Sequence, residues 1–165
     1  MQLDALDPPH PDGPRLPVED LAVYEAHGGH TLRKHVGMSA ADNLHRIRTG
    51  HGAAGCFASQ QTAQRAVEES VHRHRDDIMA WLWGPNRRLP FSFVEDLGRV
   101  IGTTLTREDV VNGITDPTPV TALRLVLRPS DELAAGFTLV TAYPTHSHRS
   151  TSARPARRVH AGAQS

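Results

Sequence analysis

Leu123-Arg124-Leu125-Val126-Leu127-Arg128-Pro129 is followed, after a loop, by Phe137-Thr138-Leu139-Val140-Thr141-Ala142-Tyr143-Pro144. In the first run three leucines alternate with Arg124, Val126 and Arg128. Period-two alternation is the pattern of a strand with one buried face. Pro129-Ser130-Asp131 through Gly136 carries turn chemistry, so the two runs read as an antiparallel hairpin with a long loop. On the second strand, Phe137, Leu139, Thr141 and Tyr143 are expected to share one face. Upstream, Phe91 and Phe93 alternate, and Arg99–Thr104 is a further strand candidate.

The first half of the chain has a different period. Val18, Leu21 and Tyr24 recur every third residue, so Val18–His27 reads as a short helix that Gly28-Gly29 stops. Thr31–His35 reads as a further helical turn. Ser39-Ala40-Ala41-Asp42 resembles a capping box, opening a helix with Leu44 and Ile47 on one face and Gly50 at its end. Cys56-Phe57-Ala58 is a short strand candidate. Ser59 then caps a helical region through about Trp83, with Ala63, Ala66, Val67, Val71, Ile78, Trp81 and Leu82 as its stripe. Helices first and strands later indicate an α+β fold. Residues 1–15 read as a Pro-rich linker, 16–146 as the domain and 147–165 as a disordered basic tail.

The length of 165 residues suits one domain with a sizeable core, and Cys56 is the only cysteine, which excludes an intramolecular disulfide. No apolar run approaches the ~20 residues of a membrane span. The N-terminus reads as lacking a secretory signal, so export is expected to depend on a larger parent protein or a dedicated machine. Net charge is zero but unevenly distributed. Residues 1–27 hold six acids against Arg15; residues 28–49 hold Arg33, Lys34, Arg46 and Arg48 against Asp42; and six arginines follow position 123 against Asp131 and Glu132. A phosphate-bearing substrate needs local positive potential, and the basic regions supply it.

Those basic regions carry the chemistry. Gly28-Gly29-His30-Thr31-Leu32-Arg33-Lys34-His35-Val36-Gly37, then Arg46, then Val140-Thr141-Ala142-Tyr143-Pro144 supply two imidazoles, a guanidinium, a hydroxyl and a phenol. Metal-free RNA cleavage needs a base for the 2′-OH, an acid for the leaving 5′-oxygen, and a cation or donors on the phosphate. Histidine suits the first two roles because its reference pKa lies near ~6.5. On a continuous helix His30 and His35 would stand about 140° apart, so a turn between them is required for a shared pocket. Taken singly, each residue also fits a structural part: an exposed or capping histidine, a solvated helix arginine, a core tyrosine, a strand threonine.

The run Gly-Gly-His-Thr-x-x-x-His-Val-Gly, with Val-Leu-Arg-Pro and Val-Thr-Ala-Tyr-Pro, resembles the bacterial RNase A-like toxin domain found at the C-termini of contact-dependent inhibition proteins and other polymorphic toxins. The similarity runs from about Gly28 to Pro144; Phe57-Ala58-Ser59 and Gly102 share it, and residues 85–118 match less clearly. The resemblance implies N-terminal helices followed by a curved antiparallel sheet, RNase A-like and without disulfides. It implies an endoribonuclease toxin that yields a 2′,3′-cyclic phosphate, needs no cofactor or metal, and acts on RNA, tRNA among the candidates. By resemblance the site falls on His35, as base, with Arg46, Thr141 and Tyr143. His30 stands as a second acid/base or a structural residue, and the choice of acid between His30 and Tyr143 stays open. Arg33 and Lys34 are candidate substrate contacts. The implied partners are RNA and a cognate immunity protein that blocks the cleft with acidic groups. The toxin is expected to be a monomer delivered by its parent to act in the target-cell cytoplasm.

Two patterns are set aside. Gly50-His51-Gly52-Ala53-Ala54-Gly55 fits GxGxxG but follows a helix and precedes a strand, the reverse of a dinucleotide site. His72 and His74 would diverge on a helix, His146 and His148 lie at the expected tail, and there is no HExxH or Cys/His constellation for zinc. The rival from another class is a non-enzymatic interaction module or secretion adaptor, for which His35→Ala would leave the biological effect intact.

Overall fold

The computed structural model describes residues 15–147. The linker expected over 1–15 and the tail expected over 147–165 fall, apart from Arg15 and Ser147, outside the described residues. The chain runs α1 (Leu21–Ala26), α2 (Thr31–His35), α3 (Ala40–Arg48), β1 (Ala53–Phe57), α4 (Gln60–Arg73), α5 (Arg75–Trp83), β2 (Phe91–Asp96), β3 (Gly102–Thr106), α6 (Arg107–Val111), β4 (Thr118–Val120), β5 (Ala122–Pro129) and β6 (Phe137–Thr145). The strands form two antiparallel sheets of three, ordered β1-β3-β4 and β2-β5-β6. The α+β class holds, with β1 inserted among the helices and α6 among the strands.

Local chemistry explains the helix starts. Asp20 accepts the Ala22 N–H at 2.9 Å, so α1 begins at Leu21 rather than Val18. Ser39 and Asp42 form the expected capping box on α3, and Ser59 accepts the Thr62 N–H to open α4. A cap of this kind stabilises a helix by about 1 kcal/mol. The stripe Ala63, Ala66, Val67 and Val71 of α4, with Ile78 and Trp81 of α5 and Leu21 and Tyr24 of α1, belongs to one buried core. Leu123, Leu125 and Leu127 of β5 and Phe137, Leu139 and Ala142 of β6 belong to it too, with Phe57, Leu97 and Ile101. A smaller cluster joins Ile47 of α3 to Ala54 and Leu105.

Two features depart from the sequence pattern. The single helix expected from Ser59 to Trp83 is broken at His74, where α4 ends and α5 begins. No Gly or Pro causes the break. The His74 ring lies 4.0 Å from the Phe93 ring, and its Nε2 meets Glu95 Oε2 at 2.6 Å. Contacts with β2 therefore hold the residue at the junction.

The second departure lies in β6. Leu127 pairs with Leu139, but Val126 pairs with Thr141, leaving Val140 as an extra residue. Cross-strand partners point to the same face, so Leu139, Ala142 and Pro144 stand with the buried leucines of β5. Thr141 and Tyr143 still share a face with each other. It is not the face of Phe137 and Leu139, because the bulge at Val140 shifts the alternation by one residue.

The two sheets meet where β1 crosses β6. A Cβ at Gly55 would stand 2.2 Å from the Pro144 carbonyl oxygen, so no other residue permits this approach.

Candidate active site

Helix α2 has only five residues and cannot hold itself together in water. Tertiary bonds fix it instead. Its N-terminal amides are capped by the Glu25 carboxylate, whose Oε1 accepts from Leu32 N–H at 2.5 Å and Arg33 N–H at 3.4 Å. The His30 N–H donates to the Val140 carbonyl at 3.0 Å, so the bulge of β6 receives the helix. One residue on, the buried Thr31 hydroxyl accepts the Ala142 N–H at 2.9 Å. These bonds set both histidines of the motif against the strand that carries Thr141 and Tyr143.

His35 is 6% exposed. Its Nδ1 lies 2.9 Å from the Gly55 carbonyl oxygen. A carbonyl only accepts, so Nδ1 carries the proton and Nε2 presents a lone pair. Burial pushes the His35 imidazole down to about 4. The Gly55 bond opposes that shift, while Arg46, His30 and Lys34 add to it. The ring is therefore neutral at physiological pH, as a proton acceptor must be.

His30 occupies the position just before α2 in a non-helical conformation, with φ −147° and ψ 25°. The 140° separation of a continuous helix thus does not apply, and the two imidazole centroids lie 6.3 Å apart. His30 is half-buried. Burial lowers its pKa, Lys34, Arg33 and Arg46 lower it further, and Glu25 pulls it upward. The Tyr143 ring lies 5.2 Å from the His35 ring, tilted by 36°.

Arg46 projects from α3, where its Nη1 donates to the Lys34 carbonyl at 3.0 Å. That bond uses a carbonyl at the C-terminal end of α2 and leaves the other guanidinium donors available. Thr141 is 8% exposed, and its Oγ1 is buried with no hydrogen-bond partner. An orphan hydroxyl costs about 1–3 kcal/mol, and it stands on the Tyr143 face. Arg33 and Lys34 are exposed. The structure thus brings His30, His35 and Tyr143 into ring contact and joins Arg46 to them through α2. Thr141 lies beside Tyr143 without bonding to either imidazole.

Glu25, Thr31 and Gly55 position this site and were not singled out from sequence. Thr31 lay inside the motif, and a glycine within a strand signals close backbone approach. Among the described residues, no group of three or more His, Cys, Asp or Glu side chains could share a metal ion, and no helix is long and apolar enough to cross a membrane.

Helices packed on antiparallel sheets, one cysteine, and two histidines gathered where α2 meets β6 define an RNase A-like α+β domain without disulfides. Residues 29–144 match the family described as the bacterial CdiA-CT RNAse A domain, and the chain belongs to that family. It is a toxin domain of the ribonuclease class used in contact-dependent inhibition. The chain is similar to a solved structure described as the crystal structure of the CdiA-CT/CdiI complex from Y. kristensenii 33638. Sequence identity is 25% and the TM-score 0.63, over 71% of this chain and 99% of that one. No curated protein matches the chain.

Proposed function

We propose that this domain is a metal-independent endoribonuclease that cleaves RNA by internal transphosphorylation. His35 Nε2 takes the proton of a 2′-OH, whose oxygen attacks the adjacent phosphorus. The bond from phosphorus to the 5′-oxygen breaks, that oxygen leaves with a proton, and a 2′,3′-cyclic phosphate remains. Arg46 neutralises the phosphate oxygens through its free guanidinium donors. Thr141 and Tyr143 donate hydrogen bonds to the same group, giving the orphan hydroxyl its partner.

His30 is the acid in this reading. It is more exposed than His35, and a phosphate anion entering beside it favours its protonated form. Tyr143 then serves as a donor to the phosphate rather than as the acid. Arg33 and Lys34 attract the strand from the exposed face of α2. The observation that carries the reading is the bond from His35 Nδ1 to the Gly55 carbonyl, which makes Nε2 the lone-pair nitrogen of a neutral imidazole.

The same reading makes RNA, with tRNA among its forms, the substrate. The toxin acts as a monomer, delivered by a larger parent protein to the cytoplasm of a target cell. A cognate immunity protein with acidic side chains covers the cleft; the CdiA-CT/CdiI complex of the similar structure supports a partner of that kind.

The test incubates purified wild type and His35→Ala with total RNA and with tRNA in EDTA and analyses the product ends. Cleavage by wild type alone, leaving 2′,3′-cyclic phosphates, is the expected result. Cleavage that requires a divalent metal, or that survives His35→Ala, overturns it.

A further inference from the structure

Register places more of the molecule beside Tyr143 than the motif does. Tyr143 of β6 pairs with Arg124 of β5, which pairs with Val94 of β2. The next row on this face is Thr141, Val126 and Ser92. Arg124 is exposed, and its Nη1 donates to Ser92 Oγ at 3.2 Å, so the guanidinium leans across the sheet toward β2, away from β6. Val126 and Val94, both half-buried, form an apolar floor beneath it.

Charge pairing separates this arginine from several others. Arg73, Arg75, Arg87 and Arg99 each form an ion pair with a carboxylate. Among the described residues Arg124 forms no ion pair with a carboxylate, and its one hydrogen bond goes to a neutral hydroxyl. Adjacent strands lie about 4.8 Å apart. Arg124 is therefore one strand removed from the tyrosine that touches His35, on the side away from Arg46.

We infer that Arg124, steadied by Ser92, binds the phosphodiester next to the scissile one, with the intervening nucleotide lying over Val126 and Val94. This rests on the ribonuclease reading above and deepens it. The substrate is then an RNA strand that crosses the β2-β5-β6 sheet face, engaged at two successive phosphates by Arg46 and by Arg124. An exposed guanidinium can take two oxygens of one phosphate, an arrangement lysine reproduces only as a point charge.

The experiment compares wild type, Arg124→Ala and Arg124→Lys on a dinucleoside monophosphate, which has one phosphodiester, and on an RNA decamer. Arg124→Ala is expected to lower kcat/KM on the decamer about tenfold, the loss of one charge-assisted contact. The loss is confined to the decamer, and Arg124→Lys restores part of it. A second arm measures binding of an all-2′-deoxy decamer, which cannot be cleaved, against salt concentration. Arg124→Ala should weaken binding and lower the slope of log affinity on log salt by roughly 0.7, the contribution of one phosphate on a single strand.

Equal losses on both substrates would make Arg124 part of the chemistry or of the fold. Undiminished cleavage of the decamer, or an unchanged salt slope, would remove it from the binding track. Any of these overturns the inference. A wild-type protein that cleaves neither RNA overturns the ribonuclease reading instead, and the binding arm still decides whether Arg124 holds a phosphate.

Discussion

Two regions of this molecule use the same residue types to opposite ends. In one, Arg99, Arg73 and His74 are matched by Glu69 and Glu95, with Arg99–Glu69 and His74–Glu95 at 2.6 Å and Arg73–Glu95 at 2.8 Å. In the other, His30, His35, Lys34 and Arg46 gather around α2 with no ion pair among the described residues. The nearby carboxylate, Glu25, is taken up by the Leu32 and Arg33 amides. Paired charges tie α4 and α5 to β2 and have little field left over. Burial keeps the His35 imidazole neutral, and the unpaired charges beside it add to that and leave their positive potential for a ligand. The chemistry is decided by which carboxylates are absent as much as by which cations are present.

The comparison fails most visibly if exchanging histidines does not separate the regions. His35→Ala should lower cleavage by about 10³-fold with the fold retained, whereas His74→Ala should leave activity per folded molecule within about twofold. Gel analysis of RNA products with circular dichroism of each variant checks both.

Arg46→Ala should cost about 10²-fold in kcat, through lost stabilisation of phosphate charge. It also removes a cation that holds both imidazoles down. The acidic limb of kcat/KM should therefore move to higher pH, a shift that pH–rate profiles of the two proteins resolve.

The buried imidazole should also make the fold sensitive to mild acid. Between about 4 and the reference value near 6.5, an unfolded His35 binds a proton that the folded one does not, so stability rises with pH across that window. From pH 7 to pH 5 the loss is about 2 kcal/mol. His35→Gln should flatten that part of the profile in denaturant titrations, and an unchanged slope would show that the imidazole is not held neutral. The smallest effect is expected in the paired region. Glu95→Gln, which keeps hydrogen bonds but not charge, should lower stability by about 1 kcal/mol or less and leave cleavage unchanged.

Much of this architecture was legible because it rests on local chemistry. The Ser39–Asp42 capping box, the Ser59 cap and the leucine alternation of β5 are signals within a few residues of their effects. Both halves of the candidate site were legible because His30, His35, Thr141 and Tyr143 lie in two short motifs, and the fold brings those motifs together. What escaped depends on long-range contacts. His74 breaks a helix because Phe93 and Glu95 hold it, and nothing between Ser59 and Trp83 announces that. Gly55 orients His35 from 20 residues away. Helix α6 was missed although Thr106 and Asp109 repeat the capping box of α3. Only five residues follow that cap, too few for a visible apolar stripe.

The extra residue at Val140 means that β6 serves two masters in succession. Up to Leu139 its odd positions belong to the interior; from Thr141 onward the even positions do, and the odd ones, Thr141 and Tyr143, lie on the face of the candidate site. Removing that one residue would leave Leu139 opposite Leu127 and Thr141 opposite Val126, now as neighbours in an unbroken ladder, so the phenol and the hydroxyl would keep their side. What would go is the carbonyl that takes the His30 N–H. The surplus residue is thus a mooring for α2, and its deletion would cast off the histidines while sparing the strand.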